Sequence, residues 1–69
     1  MITLDERDIR VLEIIRERKV VRLEEIRSMV GGDGVSNSLE KLKDMGYITS
    51  IEFTGSKGFA ITNKGMRIR

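Results

Sequence analysis

The side chains most able to do chemistry lie in one stretch of the chain, between residues 35 and 48. Val35, Leu39 and Leu42 recur there at helical spacing and form one narrow apolar stripe. The polar side chains fall on the other side of this predicted helix: Ser36, Asn37, Glu40, Lys41 and Asp44. Gly46 ends the helix where a left-handed residue is favoured, and an extended run follows. A short helix with a thin buried stripe and a polar outer side is suited to lying on a groove and poorly suited to forming a catalytic cleft.

The composition leaves few kinds of catalysis open. The 69 residues form one predicted domain, residues 1–69, and contain no Cys and no His. The sequence therefore lacks disulfides, thiol chemistry, the commonest general base and the commonest metal ligand. The adjacent carboxylates of Asp5–Glu6 and of Glu24–Glu25 point apart on helices, which makes an enzyme the weakest hypothesis. No metal, cofactor or small-molecule ligand is expected.

The sequence shows no pattern of membrane insertion or export. It has no run of 18 apolar residues, and Asp5, Glu6 and Asp8 occupy positions where a signal peptide needs an apolar segment. We therefore expect a cytoplasmic protein that does not contact membranes. Gln, Trp and Pro are absent, whereas Glu, Arg, Lys, Ile and Val are abundant. This composition is typical of proteins from hot environments.

Charge is unevenly distributed along the chain. Residues 1–52 hold nine Lys/Arg and eleven Asp/Glu, a net charge of −2, whereas residues 53–69 hold four basic residues and no acidic one. A basic C-terminal segment on a nearly neutral body indicates one face that meets a polyanion. A solvated basic tail is the plainer alternative.

Three helical segments are predicted in the first two-thirds of the chain. The first begins at Thr3, because Thr3 and Glu6 have the spacing of a capping box, and it closes before the β-prone piece Val20–Arg22. That piece is too short to stand alone, and we expect it to pair with a distant segment. The second helix covers Leu23–Val30, and a Gly-rich turn at residues 31–34 separates it from the third. A side chain from one of two residues is expected to cap the third helix: Asp33 or Ser36.

The pattern changes to strand-like alternation after Gly46. Two β-prone runs flank a Gly/Ser/Lys loop at residues 54–58 and predict a hairpin, which is followed by a turn at residues 63–65. Three apolar side chains are expected to face inward or to make cross-strand contacts: Phe53, Phe59 and Ile61. The complete order predicts an α+β fold with three helices, a C-terminal β-hairpin and a short strand between helices 1 and 2.

Three stretches of the chain follow the patterns of one known family. Residues 35–48 fit the pattern V-S-x-x-L-x-x-L-x-x-x-G-x-I, residues 8–15 form an apolar helical segment, and residues 59–65 form an apolar strand followed by T-x-x-G. Together they resemble winged helix-turn-helix DNA-binding domains, in particular the MarR-like, PadR-like and ArsR-like transcriptional regulators. The turn at residues 31–34 is shorter than the turn usual in that family. The long C-terminal helix through which many of these regulators dimerise is not among the 69 residues.

The resemblance implies sequence-specific binding to double-stranded DNA, with a recognition helix at about residues 35–45 in the major groove. Ser36 and Asn37 would face base edges, and the Asn37 amide would pair with N6 and N7 of adenine. Lys41 and Lys43 would reach phosphates. The resemblance also implies a role in the regulation of transcription.

The hairpin would act as the wing of such a fold, with residues 54–58 on the DNA backbone or in the minor groove. Lys57 would lie at its tip with Ser56 beside it. The positive edge would be extended by three further cations: Lys64, Arg67 and Arg69. A symmetric homodimer that reads two half-sites about 34 Å apart is also compatible with a domain of this size.

The acidic residues on the outer side of the third helix favour a competing hypothesis. Glu40 and Asp44 lie beside Asn37, where a carboxylate near phosphates is repelled, although Glu40 could accept a hydrogen bond from cytosine N4. The alternative is a protein-interaction adaptor with the same fold and no DNA binding. An exposed apolar patch would favour it, formed by Ile9, Met66 or Ile68. RNA binding is a third hypothesis, but Tyr47 alone makes a poor stacking platform.

Overall fold

The computed structural model describes residues 3–31 and 34–67, which form a small α+β fold. These residues contain four helices and a three-stranded antiparallel sheet. The order along the chain is α1 (Glu6–Arg18), β1 (Val20–Arg22), α2 (Leu23–Val30), α3 (Val35–Asp44), β2 (Ile48–Phe53), β3 (Ser56–Ile61) and α4 (Asn63–Met66). The predicted succession of three helices, a short strand between the first two and a hairpin after the third is confirmed.

The strand β3 lies in the middle of the sheet although it is the last strand in the chain. The strand order is β1-β3-β2, and both neighbours run antiparallel to β3. Val21 is opposite Phe59 in one pairing, and Ile48 is opposite Ile61 in the other. The short β-prone piece after α1 therefore does pair with a distant segment, as expected.

One face of the sheet and the inner sides of α1, α2 and α3 enclose the core. Ile15, Ile26 and Leu42 are fully buried and come from these three helices in turn. The sheet contributes three further buried side chains: Val21, Ile48 and Phe59. Burial of an aliphatic side chain of this size stabilises a folded state by about 1.5–3 kcal/mol. Contacts of this kind fix the position of α3 relative to the sheet.

The helix α1 begins later than the spacing of Thr3 and Glu6 predicted. Asp5 is the N-cap, and its side chain accepts a hydrogen bond from the Asp8 N–H. The Asp8 side chain in turn accepts one from the Asp5 N–H, at 3.0 Å. Two aspartates thus form the reciprocal cap that the threonine and glutamate were expected to form. The cap forms at the two aspartates because Asp8 is also held by α3, a contact that the local sequence does not reveal.

The start of α3 has no side-chain cap in the structure. Gly34 is the N-cap, with φ of 95°, a backbone conformation that a glycine adopts without strain. Ser36, one of the two predicted caps, lies inside the helix, and its Oγ accepts a hydrogen bond from the Arg27 side chain at 3.3 Å. The other predicted cap, Asp33, lies outside the described residues.

The predicted turn at residues 63–65 is part of the short helix α4, so the described residues contain four helices rather than three. Thr62 is its N-cap, and the Thr62 side chain accepts a hydrogen bond from the Gly65 N–H. The Thr62 hydroxyl also donates to the Gly46 carbonyl at 2.6 Å, which joins the start of α4 to the chain leaving α3. Gly46 has φ of 83°, which confirms the left-handed exit from α3.

The hairpin has a tighter turn than the predicted loop at residues 54–58. Phe53 pairs with Ser56, so only Thr54 and Gly55 connect the two strands. This register places Phe53 on the opposite face of the sheet from Phe59, because neighbouring residues of a strand alternate between faces. Of the two alternatives expected for Phe53, an inward position is therefore excluded and a cross-strand contact is confirmed, because its ring lies against Gly58 of β3 on the outer face.

Candidate nucleic-acid interface

A groove runs between the outer side of α3 and the hairpin. It has a volume of about 280 Å³ and is lined by Leu23, Ser36, Leu39, Glu40, Lys43, Lys57 and Phe59. The floor is apolar because Leu39 and Phe59 belong to the core. The rim is polar and contains two lysines and one glutamate. We call this feature the α3–hairpin groove.

The polar side of α3 faces outward because its apolar stripe is fully used by the core. Val35, Leu39 and Leu42 are buried, as predicted. The opposite side is exposed, and two of the predicted contact residues on it, Ser36 and Lys43, line the groove. The exposed residue Asn37 follows Ser36 on the helix but does not line the groove. The acidic residues Glu40 and Asp44 lie on the same exposed side.

Lys57 reaches the groove from a strand and not from the tip of a loop. It lies in β3, directly opposite Glu52 of β2, and is exposed. It shares a face of the sheet with the buried Phe59 two residues later, and this face is the one turned toward α3. Ser56 lies one residue earlier and therefore faces the other side of the sheet. The structure thus brings Lys57 together with Lys43 and separates it from Ser56.

Lys41 is held by α1 and lies outside the groove. Its Nζ is 2.6 Å from the Asp8 carboxylate and donates a further hydrogen bond to the Thr3 carbonyl at 3.2 Å. Asp8 is only 1% exposed, whereas the side chain of Lys41 keeps 30% of its surface exposed. The charge of Lys41 is therefore already paired with a buried carboxylate, and its contact with a phosphate stays a prediction.

The Asp8–Lys41 pair changes the titration of both groups. Burial raises the pKa of the Asp8 carboxyl, but hydrogen bonds from Lys41, Ser38 and the Asp5 N–H outweigh burial and hold that pKa below its ordinary value. The hydrogen bond to Asp8 raises the pKa of the Lys41 ammonium above its ordinary value. Both groups are therefore charged at neutral pH, and the pair joins the start of α1 to the middle of α3.

The cations that follow β3 do not extend the edge formed by Lys57. Lys64 and Arg67 come after the last residue of β3, at the end of the hairpin away from the turn. A strand of six residues spans about 20 Å, which separates them from the turn end. Lys64 instead lies over the ring of Tyr47, with its Nζ 5.5 Å from the ring centroid. The predicted continuous positive edge is thus divided, and its last member, Arg69, lies outside the described residues.

Two arginines near the start of α3 were missed by the sequence-based prediction. Arg27 of α2 donates to Ser36 at 3.3 Å. The guanidinium of Arg7 occupies the space that a side chain at Gly34 would need, next to the first turn of α3. Helical periodicity places both arginines on exposed surfaces, but their approach to α3 depends on how the helices cross. No spacing in the sequence could have shown that.

Comparisons with known proteins found no match: no family model, no curated protein sequence and no solved structure matches the chain. Over residues 3–31 and 34–67, the Asp and Glu side chains form no group of three that could hold a metal ion. Within the same ranges, each helix is too short or too polar to cross a bilayer. The α3–hairpin groove and its surroundings are therefore the features from which a function can be inferred.

Proposed function

We propose that this chain is a double-stranded DNA-binding protein of winged-helix type and that it regulates transcription. The observation that carries the proposal is the α3–hairpin groove, which is lined by Lys43 from α3 and by Lys57 from β3. The exposed amide of Asn37 lies on the same helix. A protruding polar helix with cations beside it is the arrangement by which a helix enters a major groove while lysines contact the flanking backbone.

In this arrangement the cationic side chains and Asn37 have different roles. Lys43 and Lys57 contact phosphates along one edge of the major groove, and this contact adds affinity without sequence preference. Arg27 and Arg7 lie near the first turn of α3 and are placed to contact further phosphates. Asn37, in the same first turn, reads a base, with adenine as the best match to its amide.

Glu40 is the feature that DNA binding must accommodate, because it lines the same groove as the two lysines. A carboxylate directed at phosphates would be repelled by them. One directed at a base edge accepts a hydrogen bond from cytosine N4, and a well-matched base contact contributes about 1–3 kcal/mol of discrimination. We therefore expect a binding site in which cytosine lies close to the adenine read by Asn37.

The proposal is tested by selecting bound sequences from a random duplex pool and then measuring binding of the selected and of scrambled duplexes by fluorescence anisotropy. Asn37→Ala should reduce the preference for the selected sequence more than it reduces binding to scrambled DNA. Lys57→Ala should weaken binding to both duplexes alike. Lys64→Ala is the matched control, since it removes one lysine from the far end of the hairpin and should leave both affinities nearly unchanged.

Recovery of no enriched sequence, together with no binding to random duplex DNA at low salt, would overturn the proposal. Equal losses from Lys57→Ala and Lys64→Ala would instead contradict the α3–hairpin groove as the contact surface. The first result would favour the protein-interaction adaptor. The apolar floor of the groove, with Glu40 on its rim, favours that alternative. The surface near Ile9 of α1 and Met66 of α4 does not favour it. These two exposed side chains each border a depression lined by Glu13 and other charged residues.

A further inference from the structure

The sheet has one long open edge. In the order β1-β3-β2, the strand β2 pairs with β3 alone among the described residues. The opposite edge is formed by β1, which has only three residues, whereas β2 has six. An edge strand of this length presents a row of backbone groups that can pair with a further strand.

The backbone groups that face outward can be identified from the register. In a hairpin with a two-residue turn, the closing pair is hydrogen-bonded, and here that pair is Phe53 and Ser56. Alternation then directs the N–H and C=O groups of Ser50 and Glu52 away from β3. The other side of β3 agrees with this assignment, because the Ile61 N–H donates to the Lys19 carbonyl, toward β1, at 2.9 Å.

The edge carries one of the devices that usually prevent pairing between sheets, a charged side chain on the face turned toward α3, and lacks the others. Its sequence, Ile-Thr-Ser-Ile-Glu-Phe, contains no proline and no lysine. Its single charge, Glu52, is opposite Lys57 of the same hairpin. Ser50 and Glu52 are both exposed. The edge is therefore open, extended and close to electrically neutral.

We propose that β2 pairs antiparallel with β2 of a second copy of this chain, with the twofold axis at Ser50, so that the two sheets form one continuous six-stranded sheet. Centring the pair on Ser50 places Ile48 of each copy opposite Glu52 of the other. The two Glu52 side chains are then separated by four residues along the strand, or about 14 Å. Centring the pair on Glu52 would instead set two carboxylates directly opposite each other, which is destabilising.

The same register gives the outer face of the sheet an apolar contact. Ile51 of one copy lies opposite Thr49 of the other and is the diagonal neighbour of the second Ile51, a distance that long side chains can bridge. A second copy therefore satisfies the outward backbone groups, keeps like charges apart and covers half-buried apolar surface. This inference concerns the surface formed by β2 and does not depend on DNA binding.

Single-cysteine variants test the proposal, because the natural sequence has no cysteine. Directly opposite residues of a hydrogen-bonded antiparallel pair have Cα atoms about 5.5 Å apart, which is within the range of a disulfide. Ser50→Cys should therefore form a covalent dimer in oxidised glutathione. Thr54→Cys, at the exposed turn that follows the same strand, is the matched control, because it keeps Glu52 in place and its two thiols would be too far apart to join. We expect Ser50→Cys to cross-link at least about tenfold faster.

Sedimentation of the natural chain, without DNA, provides the second measurement. Its average mass should rise from one copy toward two with increasing concentration. Ser50→Pro removes one outward N–H and should stay monomeric, whereas Ser50→Ala keeps that N–H and should still dimerise. A natural chain that remains monomeric at millimolar concentration would overturn the proposal, and so would equal cross-linking of the two cysteine variants. If Ser50→Pro fails to fold, sedimentation of the natural chain and cross-linking of the two cysteine variants still decide the question.

Discussion

Asp8 is the buried charged side chain of the described residues, and it connects two helices. Its carboxylate accepts one hydrogen bond from the N–H of Asp5, the N-cap residue of α1, and another from Lys41 of α3. Ser38, itself 3% exposed, is a further hydrogen-bond partner of the same carboxylate. A buried carboxylate with this many donors is satisfied as an anion and would leave several donors unpaired if it were removed.

Stability should depend on pH through Asp8, because its pKa is lower in the folded state than the ordinary value of 3.8. A group whose pKa is lowered by folding stabilises the folded state above its unfolded-state pKa, and this stabilisation is lost as the pH falls through the folded-state pKa. We expect Asp8→Asn to reduce the free energy of unfolding by about 2 kcal/mol at pH 7. The difference from the natural chain should shrink steadily below pH 3.8.

Urea denaturation at pH 7, 5 and about 3 would measure this difference. Asp44→Asn is the control, because Asp44 is exposed at the end of α3 and should change stability little at any of these values. An Asp8→Asn difference that is the same at pH 7 and at pH 3 would contradict the assignment of the effect to the carboxylate charge.

At the scale of elements, the chain leaving α3 is fastened to α4 at closely spaced points. The Thr62 N–H donates to the Tyr47 carbonyl at 3.1 Å, and the Thr62 hydroxyl donates to the Gly46 carbonyl. Gly65 is buried against the same Tyr47 carbonyl, so closely that a Cβ atom at position 65 would collide with that backbone oxygen and with Ile61. The position of the short helix α4 thus requires glycine at one place.

Gly65→Ala should therefore destabilise the fold even though alanine favours helices. We expect a loss of about 1–3 kcal/mol in the free energy of unfolding, because the colliding atom belongs to the backbone and cannot move aside easily. Asn63→Ala, at an exposed position of the same helix, is the control and should have a small effect. Thermal unfolding followed by circular dichroism would compare the two variants, and equal melting temperatures would contradict this account of the packing.

The elements that were predicted correctly have strong internal periodicity. The bounds of α2 and the buried stripe of α3 follow from apolar spacing alone, and Gly46 was recognisable because of its position after the last periodic residue. The missed features depend on distant partners. Asp8 forms part of the cap and is also held by Lys41. Phe53 lies on the outer face because the turn has two residues and not five. These features follow from tertiary packing, which cannot be predicted from a local sequence pattern.

The candidate interface was predictable to a similar extent. The exposed positions of Ser36, Asn37 and Lys43 follow from the helical period. The approach of Lys57 to Lys43 follows from the register of β3, and the pairing of Lys41 with a residue 33 positions earlier follows from the crossing of α1 and α3. Sequence thus indicates which side chains are available on each element, whereas the fold decides which of them meet.

At the scale of the whole molecule, charge is divided between two ends of the hairpin, and this limits how many cations can contact one duplex. If Lys43, Lys57, Arg27 and Arg7 each neutralise one phosphate, the logarithm of the association constant should fall with the logarithm of the salt concentration with a slope of about −3.6. Anisotropy titrations across a range of salt concentrations would measure it.

The slope for Lys57→Ala should be less steep by about 0.9, while the slope for Lys64→Ala should equal that of the natural chain. A slope near zero would exclude phosphate contacts. A slope that changes equally in the two variants would mean that both ends of the hairpin contact DNA at the same time, contrary to the separation described above.

The central position of β3 has a consequence for synthesis of the chain on the ribosome. Residues 20–22 and residues 48–53 emerge first, but both wait for residues 56–61, which separate them in the finished sheet. The N-terminal half of the nascent protein therefore cannot complete its tertiary structure ahead of the C-terminal half. Because the ribosomal exit tunnel shields the most recently added residues, native structure should form only after translation has passed the last strand, in a single cooperative step.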